Sequence, residues 1–224
     1  IGPVKCWTSG VRRRAPNTVS SLSNRVTAAV ERALDDRQRE ATEEVERILA
    51  AAVRVMERVA PEPPRVSDIV AEAGSSNKAF YRYFAGKDDL ILAVMERGVA
   101  IVVSYLQHQM AKEIRPEDKI ARWIEGTLAQ VADPHLISMS RAAAGQLSAA
   151  PNWPAGDQEM MRPLRDLLIG PVSALASTDV DRDVNAVFNC TAAMLRRYVG
   201  STDRPDAADI THLVQFCLRG LGVG

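Results

Sequence analysis

Residues 66–87, VSDIVAEAGSSNKAFYRYFAGK, constrain the fold more than any other stretch, because two short helical patterns stand on either side of a single glycine. Val66, Ile69, Val70 and Ala73 recur at the i, i+3, i+4, i+7 spacing of one buried helical stripe, while Ser67, Asp68, Ala71 and Glu72 face away. Gly74 stops that helix, since glycine takes the left-handed conformation after a helix end without steric cost. Ser75 and Ser76 follow, with hydroxyls suited to cap the free N–H groups of a second helix starting near Asn77. That second helix is short. Its polar residues Asn77, Lys78, Tyr81 and Arg82 are available to a partner, while Ala79, Phe80 and Phe84 are available for packing. A helix-turn-helix needs this division: the first helix clamps the second, and the second presents its N-terminal residues to the major groove of DNA.

The string GSSNKAFYRYF at 74–84, followed by GKDDL at 86–90, resembles the DNA-binding signature of the TetR family of transcriptional regulators. An upstream helix ending in Ile48, Leu49, Ala50, Ala51 and Ala52 fits the same pattern, and the motif covers about a fifth of the chain. Four departures stand out. Ser75 replaces the usual valine, Lys78 a frequent glycine and Arg65 the threonine that usually caps the second helix; Pro61-Glu62-Pro63-Pro64 replaces a glycine-containing turn. The resemblance implies an all-α fold, with an N-terminal three-helix helix-turn-helix domain followed by a helical ligand-binding and dimerisation domain. It implies a DNA surface made of Arg65, Ser76, Asn77, Lys78, Tyr81, Arg82, Tyr83 and Lys87. Asn pairs with adenine edges and Lys or Arg with guanine, so Asn77, Lys78 and Arg82 are the expected base readers. Ser76, Tyr81, Tyr83 and Lys87 are expected on phosphates, with a core role for Tyr81 as the alternative.

A chain of 224 residues with 46% apolar content can bury a substantial core. No apolar run approaches the roughly 20 residues of a membrane span, and no secretion signal is visible, so a cytoplasmic location is expected. Cys6, Cys190 and Cys217 are widely spaced and odd in number, which argues against a disulfide framework and against a CxxC metal or redox site. His108, His135 and His212 are isolated, so no metal or cofactor is expected. The formal net charge is zero, but residues 1–30 hold Lys5, Arg12, Arg13, Arg14 and Arg25 without an acidic residue. This segment reads equally as a solvated tail or as an arm that follows DNA phosphates or enters a minor groove.

Along the chain, residues 1–22 read as a flexible basic arm and 23–87 as the helix-turn-helix domain with a helical extension; 88–224 form the second domain. Ser23 is a candidate helix cap, and residues 23–40 suit either a separate helix or one running into the next. Val45, Ile48, Leu49, Ala52, Val55, Met56 and Val59 then form a continuous stripe that the prolines at 61, 63 and 64 end. Residues 87–110 make a long helix whose inner side carries Leu90, Ile91, Val94, Met95, Gly98, Ile101, Val102, Tyr105 and Leu106. Its second half is apolar nearly all round and is expected to be buried. A helix follows with Ile120, Trp123, Ile124, Leu128 and Val131, then a segment at 135–150, a loop at 151–156, and a helix at 160–176 bent near Gly170-Pro171. The last two helices, 179–199 and 206–221, carry narrow apolar seams.

In a TetR-like chain those last helices pair with their copies in a second subunit as a four-helix bundle. The expected interface is Val187, Met194, Leu195, Tyr198, Ile210, Leu213, Val214 and Cys217. Trp123, Met139, Trp153, Met160, Met161 and Phe188 suit ordinary packing taken singly. The resemblance implies an effector cavity among them, and their character favours a small hydrophobic effector. The chain therefore reads as a ligand-responsive repressor released from a palindromic double-stranded DNA operator, acting as a homodimer without membrane contact. The competing readings are an all-helical enzyme or lipid-binding protein with an incidental helix-turn-helix, and an adaptor. No paired catalytic carboxylates, nucleophile with a base or complete S-x-x-K enzyme motif set favours catalysis.

Overall fold

The computed structural model describes residues 18–59, 62–132, 153–199 and 204–223, with side chains placed for all of these except 18–23, 130–132, 153–158 and 199. The described residues are helical without strands: α1 (Thr18–Val59), α2 (Val66–Ala73), α3 (Asn77–Tyr83), α4 (Lys87–Met110), α5 (Pro116–Ala132), α6 (Trp153–Asp166), α7 (Ile169–Ala174), α8 (Val180–Val199) and α9 (Ala207–Gly220). This is the all-α architecture expected. The chain divides into two compact units, residues 1–44 and residues 45–224.

In the first unit, α1 begins at Thr18, so Ser23 lies inside a helix rather than at its cap, and residues 18–22 are helical rather than part of an arm. The rest of the expected arm, residues 1–17, lies outside the described residues. Residues 23–40 continue in the same helix to Val59, because no glycine or proline interrupts residues 18–59. Val26, Val30 and Leu34 of this segment are exposed.

In the second unit, Ile48, Leu49, Ala52 and Val55 of α1 pack with Ile69 and Val70 of α2, with Phe80 and Phe84, and with Leu90 and Val94 of α4. The helical stripe read from residues 45–59 is the buried one. After Val59 the proline-rich segment turns, and the Glu62 N–H donates to the Val59 carbonyl at 2.9 Å.

A second cluster is built around α5, which packs against α4, α7, α8 and α9. Ile120, Trp123, Ile124 and Leu128 are its fully buried residues, each contributing about 1.5–3 kcal/mol by leaving water. The Trp123 Nε1–H donates to the Leu164 carbonyl of α6 at 3.0 Å, so the indole is buried without an unmet donor. α4 contributes Leu106 and Met110 here and Leu90 and Val94 to the first cluster, so one helix is a member of both.

Three expectations need correction. Ile101 and Tyr105 of α4 are 60% and 45% exposed, and Val99, Val102 and Val103 are only partly buried. That half of α4 is apolar on nearly every side, so periodicity could not select the face that α5 and α6 would cover. The loop expected at 151–156 is cut short, since α6 begins at Trp153; Pro154 sits in the first helical turn, where its missing N–H leaves nothing unbonded. The bend expected near Gly170-Pro171 is a break at residues 167–168 between α6 and α7, because Pro171 has no N–H to give the carbonyl of Leu167. The segment expected at 135–150 lies outside the described residues.

α8 and α9 are capped by aspartates: the Arg182 N–H donates to Asp179 Oδ1 at 3.2 Å and the Asp209 N–H to Asp206 Oδ1 at 2.7 Å. The Tyr198 hydroxyl joins the two helices by donating to Asp209 Oδ2 at 2.6 Å. No described helix is long and apolar enough to cross a membrane.

Candidate functional site

The turn between α2 and α3 is set by three backbone-level features. Gly74 lies at φ 61° and ψ 32°, in the left-handed region. Its N–H donates to Ala71 O at 3.2 Å and that of Ser75 to Val70 O at 3.0 Å, the paired bonds of a Schellman end that satisfy two carbonyls of α2. Ser76 then caps α3, its Oγ accepting from the Ala79 N–H at 3.1 Å. Ser75 does not act as the N-cap.

This geometry divides α3. Phe80 and Phe84 are sunk into the first cluster, with their ring centroids 5.6 Å apart. Asn77, Lys78 and Arg82 are exposed, as is Tyr81 at 60%, which removes the core alternative for that ring. Tyr83 is half-buried against the cluster; the Arg82 Nη2 donates to its hydroxyl at 2.7 Å and the guanidinium lies 4.6 Å from its ring centre. Arg65 is exposed at the start of α2, where it makes no side-chain cap, and Lys87 is half-buried at the start of α4. Asp89 holds the intervening turn, its Oδ2 accepting from the Ala85 N–H at 2.8 Å.

One supporting contact was not apparent in the sequence. Glu72, expected merely to face away, accepts from Arg54 Nε at 2.9 Å and from Arg58 Nη1 at 3.0 Å, fastening α2 to α1. The hydrogen bonds from Arg54 and then Arg58 hold its carboxyl below the ordinary value. The i, i+4 spacing of the two arginines was the available signal.

The residues expected around an effector are not all brought together. Trp123 is 1% exposed and packed within the core, with the Phe188 ring centre 6.2 Å away. Met161 and Phe188 line an open groove between α6 and α8, where Arg162, Arg165, Asn185 and Asn189 supply polar groups. Arg165 is tied there to Asn185 Oδ1 at 2.7 Å and Asp181 Oδ1 at 3.1 Å. Met160 is half-buried; Met139 and the Trp153 side chain lie outside the described residues. Thr127, missed in the sequence, is buried with a hydroxyl that has no partner.

On the expected dimer seam, Val187, Tyr198, Leu213 and Cys217 are buried within their own chain. Met194, Leu195, Ile210 and Val214 are half-buried, and Phe216, which the seam reading passed over, is 60% exposed.

Residues 48–94 match the family model described as bacterial regulatory proteins, tetR family. No curated protein sequence matches the chain. Solved structures similar in fold include the transcriptional regulator FadR from Bacillus subtilis in complex with stearoyl-CoA, at 17% identity and a TM-score of 0.61 over 79% of this chain and 96% of that one. A TetR-family regulator from Mesorhizobium loti gives 13% identity and a TM-score of 0.62 over 81% and 96%. A TetR-like regulator from Rhodococcus sp. RHA1 gives 20% and 0.57 over 81% and 97%. The matched segment is the one that folds into the clamped α2–α3 turn, so residues 48–94 carry the DNA-binding domain of the tetR family of bacterial regulatory proteins.

Proposed function

We propose that this ligand-responsive transcriptional regulator is a repressor, binding a palindromic operator as a homodimer and leaving it when a small hydrophobic effector binds the helical core. The observation that carries the DNA reading is the outward row of α3: Asn77, Lys78 and Tyr81 stand in solvent on a helix whose Phe80 is buried and whose Tyr83 is half-buried. In this reading Asn77 and Lys78 reach base edges. Arg82 joins them only by releasing Tyr83. Ser76 keeps its hydroxyl proton for a phosphate while its oxygen caps α3, and Arg65, Tyr81, Tyr83 and Lys87 hold the backbone.

Two recognition helices in a symmetric dimer meet successive major grooves about 34–36 Å apart, so anything that changes their separation changes affinity. α4 is suited to carry that change because it belongs to both hydrophobic clusters. In this reading the effector binds against α5, α6 and α8, near Trp123, Met160, Met161 and Phe188, supported by the groove that Met161 and Phe188 line. The stearoyl-CoA bound by the Bacillus subtilis regulator of similar fold supports a long apolar ligand. Shifting the two states from 1:99 to 99:1 requires about 5.5 kcal/mol of differential affinity. A location in the cytoplasm, where the operator is, accompanies this reading.

Gel shifts with DNA flanking the protein's own gene, repeated across salt, test it. Asn77→Ala and Lys78→Ala are each expected to lose about 1–3 kcal/mol of operator affinity and to relax specificity, whereas Lys87→Ala weakens all sequences alike and flattens the salt slope. Folded Asn77→Ala and Lys78→Ala proteins with unchanged affinity and selectivity would remove the assignment.

A further inference from the structure

Cys190 and Cys217 are far apart in the sequence, and nothing in their spacing suggests a pair. The fold makes them one. Cys190 is on α8 and Cys217 on α9, two helices that pack against each other, and Cys190 packs against the same hydrophobic cluster that contains Cys217. Both are free thiols; Cys190 is half-buried, while Cys217 is only 5% exposed. Burial, with the charge and the hydrogen bonding of the adjacent Cys190 thiol added, pushes the Cys217 thiol up to about 11. At neutral pH Cys217 is therefore a protonated thiol shielded from solvent, and Cys190 is the one a solute can reach.

We propose that Cys190 and Cys217 form an oxidant-sensitive dithiol, which a hydroperoxide converts into an intrachain disulfide bridging α8 and α9. The Cys190 sulfur attacks a peroxide oxygen and the O–O bond breaks. The departing hydroxide, or alkoxide from an organic peroxide, takes the thiol proton and leaves Cys190 as a sulfenic acid. The Cys217 sulfur then attacks the Cys190 sulfur, the S–O bond breaks, and the hydroxide leaves as water with the Cys217 proton. Two thiols lose two electrons and the peroxide is reduced to two waters, or to one water and one alcohol.

The division of exposure favours this order. A half-buried first thiol admits a small oxidant, and a buried second thiol intercepts the sulfenic acid before further oxidation.

The full chain, reduced and then freed of reductant, is treated with hydrogen peroxide, alkylated and digested without reductant. The expected product is a Cys190–Cys217 linked peptide in most molecules, lost on treatment with dithiothreitol. Cys190→Ser abolishes it, and Cys217→Ser leaves a sulfenic acid at residue 190 that a dimedone probe captures. Since Cys217→Ser opens a packed position, the Cys190→Ser protein, altered at a half-buried site, carries the comparison of folded proteins by circular dichroism. Recovery of both thiols unmodified at doses that oxidise Cys6 would overturn the proposal, as would disulfides formed only through Cys6 or only between subunits.

Discussion

At the scale of single residues, Gly74 and Glu72 hold the reading head in place by different physics. An alanine at 74 would meet nothing within 4 Å, so its cost is the left-handed backbone alone, about 1–2 kcal/mol. Gly74→Ala is expected to lower the melting temperature by roughly 2–4 °C for each kcal/mol lost in a chain of this size. Calorimetry checks this, and an unchanged transition would show that the turn is unstrained. Glu72 acts through pH. Its folded value is depressed below the ordinary 4.5, so its stabilising contribution is complete above pH 4.5 and is lost as the pH falls through the lowered folded value. Glu72→Gln is expected to flatten the acid dependence of stability in that window, with the two proteins converging at still lower pH. Urea midpoints measured across the window decide it. Gly74 and Ser76 were legible in the sequence because turn and cap chemistry is local; Glu72 was not, because its partners sit on another helix.

At the scale of elements, α4 and α5 meet at Gly126. A Cβ at Gly126 would lie 2.4 Å from Leu106 Cδ2, and Leu106 is fully buried, so its methyl must shift within the core. Gly126→Ala is expected to cost about 1–3 kcal/mol as the helices separate or Leu106 leaves its rotamer. Chemical denaturation measures the loss, and a stability equal to the parent would mean that α4 yields freely. Because α4 belongs to both clusters, the same substitution is expected to change operator affinity beyond what the stability loss explains. The stripe of α5 was readable from its spacing, whereas the outer row of α4, Ile101 and Tyr105, was misread as buried. A helix that is apolar all round carries no record of which side its neighbours take.

At the scale of the whole molecule, the proposed dimer has less surface to offer than its apolar seams suggested. Val187, Leu213 and Cys217 are already used in the chain's own core, and Tyr198 in a contact with Met194 and Leu195. Of the proposed interface, the half-buried Met194, Leu195, Ile210 and Val214 are left for a partner, and the exposed ring of Phe216, on another side of α9, is a further candidate. Phe216→Glu is expected to weaken self-association by about 2 kcal/mol or more, the scale of losing an aromatic anchor, while leaving the folded chain intact. Sedimentation should show the variant dissociating at micromolar concentration with reduced operator binding; a dimer as tight as the parent would move the interface elsewhere.

What the sequence determined by itself is what depends on near neighbours: the helical class, the two helices of the DNA-reading motif, the glycine between them and the serine that starts the second. These follow from spacing, backbone permission and capping, each acting within a few residues. Only the tertiary structure decided which apolar faces were covered, that Arg54 and Arg58 converge on Glu72, and that Cys190 meets Cys217. Those outcomes depend on which helices pack together, and two residues on different helices leave no mark of their proximity in the order of the chain.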